Sequence, residues 1–111
     1  MTTLSVSVRD RGDRGAADGE SVTVAVTGEL DIATVPRFTA RMGELVRRGH
    51  FRELVIDLSE LTFIDAGGLR ALADMRRRVE QQDATLVLEG VPPQMRRLIA
   101  IIGPARQFRL R

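Results

Sequence analysis

Two carboxylates, Asp31 and Asp65, stand where a predicted strand gives way to a predicted helix, one closing "VTGELD" and the other closing "LTFID". Side chains at two such ends can converge, and converging carboxylates serve as general acid/base pairs or as pockets that accept a phosphoryl group. Asp65 is followed by Ala66, Gly67 and Gly68. Glycines there let backbone amides approach a phosphate, since a helix N-terminus is a natural anion site. The turn lacks the Gly-Lys-Ser/Thr ending of a P-loop, so it does not specify a nucleotide. The parts that would complete a catalytic site are missing. The single histidine, His50, lies in "RRGHF", where it reads as a charge or turn residue at a helix end. No serine occupies a nucleophile elbow, and no His/Asp/Glu cluster has metal-ligand spacing. The chain is therefore expected to be no enzyme and to use no cofactor or metal. Each aspartate also has a purely structural use, because a carboxylate at a helix start accepts from free backbone amides and faces the positive end of the helix dipole.

The elements that must position these residues can be read from periodicity. Leu4, Val6 and Val8 alternate with polar residues, as do Val22, Val24 and Val26, and a polar, glycine-bearing stretch "DRGDRGAADGE" lies between them; this predicts an antiparallel hairpin. Val35, Phe38, Met42 and Leu45 form a helical stripe, with Arg37, Arg41 and Arg48 off it, Thr34 as its cap and Pro36 in its first turn. "ELVIDL" is a short apolar run of the kind found in central strands. The Asp65 turn opens a second helix carrying Leu69, Leu72, Met75 or Arg76, and Val79; "ATLVLEG" follows as a strand. "PPQMRRLIAIIGP" makes a third helix that stops at Gly103-Pro104, and "QFRL" offers an optional last strand. The order β-β-α-β-α-β-α(-β) predicts an α/β fold, a mixed sheet of four to five strands with helices packed against it.

Composition narrows the function. The 111 residues suit one domain, 1–111, with one core. All seventeen basic residues are arginine, yet the formal net charge is only +2, too small a surplus for a nucleic-acid binder. Arg76-Arg77-Arg78 shares its helix with Asp74 and Glu80 and reads as a solvated, locally paired face. The tail after Glu89 has no acid while Arg96, Arg97, Arg106, Arg109 and Arg111 are basic, so an anionic surface is a conceivable partner there. Cysteine is absent, which removes disulfides and thiolate metal sites. Neither a signal peptide nor an apolar run near the ~20 residues of a membrane span is visible, and the protein is expected to be soluble and cytoplasmic, with no membrane insertion.

Together, "VTGELDIATVPRF" and "LVIDLSELTFIDAGGLRAL" in this element order resemble the STAS domain of bacterial anti-sigma factor antagonists, over about Leu4 to Leu110. Gly28, Glu29, Leu30 and Asp31 match the family's Gly-Glu-Leu-Asp element; Asp65, Gly68 and Leu69 match its Asp-Ser-Ser/Thr-Gly-Leu element. The resemblance implies a STAS-like fold and switching by partner exchange. A member binds an anti-sigma factor, usually a serine kinase of the histidine-kinase-like ATPase type, and so frees a sigma factor. Phosphorylation of the first serine after the aspartate ends the interaction. Here Ala66 occupies that serine's position and Gly67 the next, so no phosphorylation is expected at the turn. The partner-binding residues implied are Asp31, Thr34, Asp65, Ala66, Gly67, Gly68, Leu69 and Arg70. Ser59 and Thr62 are nearby hydroxyls to which the phosphosite role is not transferred. The chain, ending at Arg111, is expected to lack the additional C-terminal helix of many members. The alternatives are an accessory subunit of an ABC lipid transporter, docking on the transporter ATPase through the same turn, and a small anion or nucleotide sensor.

Overall fold

The computed structural model describes residues 3–13, 20–101 and 108–111. In chain order its elements are β1 (Leu4–Asp13), β2 (Glu20–Leu30), α1 (Val35–Arg48), β3 (Glu53–Asp57), β4 (Leu61–Ile64), α2 (Ala66–Glu80), β5 (Thr85–Glu89), α3 (Pro93–Ile101) and β6 (Arg109–Leu110). The sheet runs β1-β2-β3-β5-β6, with β4 also on β2. Only the β1/β2 pair is antiparallel; β3, β4, β5 and β6 join in parallel. This is the mixed α/β architecture expected, and Arg109 and Leu110 supply its last short strand.

Two boundaries differ from expectation. The sheet has six strands because the run through Leu61 is interrupted. Leu58 N–H bonds to Glu89 O (2.9 Å) and Leu61 N–H to Leu58 O (3.0 Å), and the chain then resumes beside β2 as β4. The hairpin is also longer. The polar residues Asp10 to Asp13, assigned above to the loop, pair with Thr23 to Glu20, since a ladder needs backbone donors and acceptors rather than apolar side chains. The remainder of that loop and the Gly103-Pro104 stop lie outside the described residues.

One face of the sheet holds the core. Val22, Val24, Val26, Leu54, Ile56, Leu86 and Leu88 form one cluster with Phe38, Met42, Leu69, Leu72, Met75, Met95 and Ile99 of the three helices. Burial of these side chains, each worth roughly 1.5–3 kcal/mol, sets the register, because a one-residue slip would turn each strand's apolar set outward. Arginines close the free edge of β1: Arg37 Nη1 donates to Leu4 O and Arg41 Nη2 to Val6 O, both at 3.2 Å. An edge strand blunted in this way is a poor template for further pairing.

The opposite face carries an ionic chain. A bulge between Val8 and Asp10 frees Arg9 from the ladder, and its guanidinium reaches over β2 to Asp57 and lies 3.7 Å from Glu89. Glu89 and Glu53 in turn hold Arg111 at 3.3 and 3.4 Å. The basic tail is thus partly neutralised by folding back. Arg76 departs from the solvated face assigned to it above. Only 12% of its side chain is exposed, and its guanidinium lies 5.7 Å from the centre of the Phe108 ring, because a long arginine stem readily covers apolar surface. Arg77 pairs with Asp74 on the helix, as expected.

Candidate functional site

The site lies where the C-terminal ends of β2 and β4 meet the starts of α1 and α2. Each turn is held by its own aspartate. Asp31 Oδ1 accepts from the amides of Ala33 (3.0 Å) and Thr34 (3.1 Å). Thr34 Oγ1 accepts from the Asp31 amide (3.0 Å) and donates to Glu29 O (2.8 Å). Thr34 therefore closes the turn through its hydroxyl without capping α1 itself. Asp65 caps α2, its Oδ1 accepting from Gly68 N–H at 2.8 Å. Its Oδ2 accepts from Ile32 N–H at 3.3 Å. That last bond ties the two turns together.

The backbone at this end requires two of its glycines. Gly28 has φ +94°, a conformation L side chains rarely adopt. A Cβ on Gly68 would lie 2.4 Å from Leu30 O and 2.8 Å from Ile64 Cγ1, so the first turn of α2 can approach the end of β2 only without one. Gly67 is less confined: its Cβ would sit 3.3 Å from Asp65 Oδ1 and 4.0 Å from Ile32 Cα.

Asp31 Oδ1 and both oxygens of Asp65 accept from backbone amides, so what converges at this end is the two turns. Among the described residues no group of three or more His, Asp or Glu side chains is placed to hold a metal. What the arrangement presents is a surface. Ala66 and Arg70 are exposed, while Asp31, Asp65 and Gly67 are half-buried. Thr34, Gly68 and Leu69 are buried, so they shape the turn from beneath. Thr62, exposed, donates through Oγ1 to Gly28 O at 2.9 Å.

Comparison with known proteins gives the family. The family model described as "Mlab, STAS domain" matches residues 14–110. The chain belongs to the STAS domain family. A protein named anti-sigma-B factor antagonist from Listeria monocytogenes is 27% identical to this STAS chain over 100 residues, 90% of this chain and 82% of the relative. One of the same name from Staphylococcus aureus is 30% identical over 80 residues, covering 72% and 73% of the two chains. The crystal structure of an anti-sigma factor antagonist from Mycobacterium paratuberculosis superposes with a TM-score of 0.77 at 29% identity, over 97% of this chain and 85% of that one. The homologues place it among the anti-sigma factor antagonists of the family.

Two large apolar residues near these turns are exposed that the sequence pattern did not predict. Ile32 is 81% exposed and Phe63 49% exposed. Ile32 follows Asp31 inside the turn, ahead of the helical stripe, which is a signal that could have been used. Phe63 is turned out by a register shift opposite Gly28 and Glu29, so that β4 buries Leu61 and Ile64 and exposes both residues between them. Strict alternation would not have found it.

Proposed function

We propose that this STAS domain is an anti-sigma factor antagonist that binds its partner through the paired turns and has no covalent switch in them. The partner is an anti-sigma factor of the histidine-kinase-like ATPase and serine kinase type, and its capture frees a sigma factor in the cytoplasm. The observation that carries this reading is the exposure of Ile32, Phe63 and Ala66 on the segments flanking Asp65, whose carboxylate ties the two turns together. Large hydrophobics left exposed are found at binding surfaces, where a few such residues supply most of the affinity.

The reading also accounts for the missing hydroxyl. A phosphoserine next to Asp65 would add nearly two negative charges to a surface that already holds a carboxylate. With Ala66 there the surface stays in one state. Thr62 donates its hydroxyl to Gly28 O and Ser59 follows β3 rather than β4, so neither stands at the position of the family's serine.

The test is affinity purification of the tagged protein from its own host, with Ala66→Glu beside it. Recovery of a histidine-kinase-like ATPase by the native chain, reduced at least about tenfold by the new charge, supports the reading. Recovery of transporter subunits moves the turn to the accessory-subunit reading. Stoichiometric phosphorylation of Ser59 or Thr62 that abolishes binding overturns the absence of a switch.

A further inference from the structure

The end of the molecule opposite the Asp65 turn has the reverse chemistry. The last turns of α1 and α2 flank an open groove of about 570 Å³ whose polar lining is Glu44, Arg47, Arg78, Gln81 and Gln82. It shares Arg47 and Gln82 with an adjoining recess of about 520 Å³ that adds His50 and Arg52. Arg47, Arg52 and Arg78 have no carboxylate within ion-pair distance among the described residues, whereas Arg48 is held by Glu44 at 3.3 Å and Arg76 by Glu80 at 3.4 Å. In the run Arg76-Arg77-Arg78, the first two are neutralised on their own helix and only the third is turned across to α1, its Nη1 3.0 Å from the place a Cβ on Gly43 would take.

Helix dipoles favour a cation at each C-terminus and so account for Arg47 and Arg78 taken singly. They do not account for Arg52, which precedes a strand and lines the recess beside Arg47, so that Arg47 stands between Arg78 in the groove and Arg52 in the recess. The acids of this end are Glu44, which lines the groove but is paired with Arg48, Glu20, which lines the recess, and Asp83 after Gln82.

We infer that this groove binds an anion built of two or more linked phosphates, by a surface separate from the paired turns. Guanidinium forks match phosphate oxygens geometrically and hold them by charge-assisted hydrogen bonds. The Gln81 and Gln82 amides add neutral donors, and the volume lies within the range of small-ligand sites. The two joined recesses suit an elongated anion better than a single phosphate. A nucleic-acid strand would need a basic track interleaved with aromatics, and only Phe51 lines this region.

The experiment is isothermal titration of the full chain with inorganic tripolyphosphate, pyrophosphate, orthophosphate and sulfate at 0.15 M salt, repeated with the double variant Arg47→Gln/Arg78→Gln and with Ala66→Glu. Both arginines lie at the surface, so the double variant is expected to stay folded, checked by its unchanged thermal midpoint. The expected result is affinity rising with phosphate number, a loss of at least about tenfold in the double variant, and no change in Ala66→Glu. Absence of heat with millimolar tripolyphosphate, equal heat with sulfate, or binding that survives in the double variant overturns the inference. Adenosine triphosphate separates the sources. Affinity equal to tripolyphosphate assigns recognition to the phosphate chain alone, and tighter binding lost in the double variant assigns a nucleotide to the same groove.

Discussion

Asp57 and Asp65 close consecutive strands in closely similar sequence, "VIDLS" and "FIDAG", and both accept a hydrogen bond from a backbone amide just ahead, Ser59 at 2.9 Å and Gly68 at 2.8 Å. Their second oxygens separate them. Asp57 is buried and gives its second oxygen to Arg9, so its charge is consumed inside the sheet face. Asp65 gives its own to the Ile32 amide and holds two turns in one surface. The same local motif thus ties strands across the sheet face in one place and joins two turns in the other, which on the proposed function presents the binding surface; what decides is the long-range partner.

The contrast is tested most severely at Gly68, on which the Asp65 turn depends for its shape. Gly68→Ala gains up to about 1 kcal/mol of helix propensity, but its Cβ would meet backbone at 2.4 Å. A net loss of about 2 kcal/mol is expected from overpacking, read as a lowered urea midpoint together with weakened partner binding.

Asp57→Ala comes next. Loss of the Arg9 and Ser59 contacts of a buried carboxylate is expected to cost about 1–2 kcal/mol, with partner binding by the folded protein unchanged. A loss of binding as large as that from Asp65→Ala would remove the distinction between the two aspartates. Burial alone would push the Asp57 carboxyl up, but the Ser59 amide and hydroxyl and the Arg9 guanidinium outweigh it and hold the group below the usual carboxylate range. A group whose pKa is depressed on folding stabilises fully above its unfolded value, about 4 for aspartate, and that stability is lost as pH falls through the folded value. The difference in urea midpoint between native protein and Asp57→Ala should therefore be full at pH 7 and shrink once the pH drops below about 4.

How far this was legible follows from the range of each interaction. The helical stripe through Phe38 and Met42 and the alternation of Val22, Val24 and Val26 recur at fixed short spacings, and all five residues are in the core. The Asp65 cap spans three residues, so it too could be read. Asp57 could not, because its partner Arg9 lies 48 positions away and is delivered by a bulge that no composition marks. The bond from Ile32 to Asp65 spans 33 positions and was equally hidden. So was the exposure of Phe63, which depends on a register shift in β4.

Asp65→Ala sharpens the comparison from the other side. The lost cap costs about 1 kcal/mol, less than Asp57→Ala is expected to cost at its upper limit. Partner affinity should fall at least about tenfold, because the Ile32 turn is no longer fixed to α2 and the surface must be ordered on binding. A titration calorimeter reads the affinity and a urea melt the stability, and the two variants should rank in opposite order on the two instruments.

The smallest effect on the fold and the most specific on function belongs to Ala66→Ser. Position 66 is the first residue of α2 and is exposed, so the added hydroxyl meets solvent and stability should change by no more than about 0.5 kcal/mol. Partner binding in the absence of ATP should be unchanged, since only one small neutral group is added. With ATP and a kinase-type partner, the variant should gain one phosphate per chain and then dissociate, while the native chain gains none. The phosphate would lie at the positive end of the α2 dipole, which favours it, but beside Asp65, whose carboxylate is fixed by Gly68 and Ile32 and cannot turn away without releasing them. Repulsion between the two would therefore be transmitted to the Ile32 turn. A variant that binds the partner, is left unmodified by it, and stays bound would show that the partner is not of the kinase type, and that at this turn the aspartate alone, without a phosphate, decides the contact.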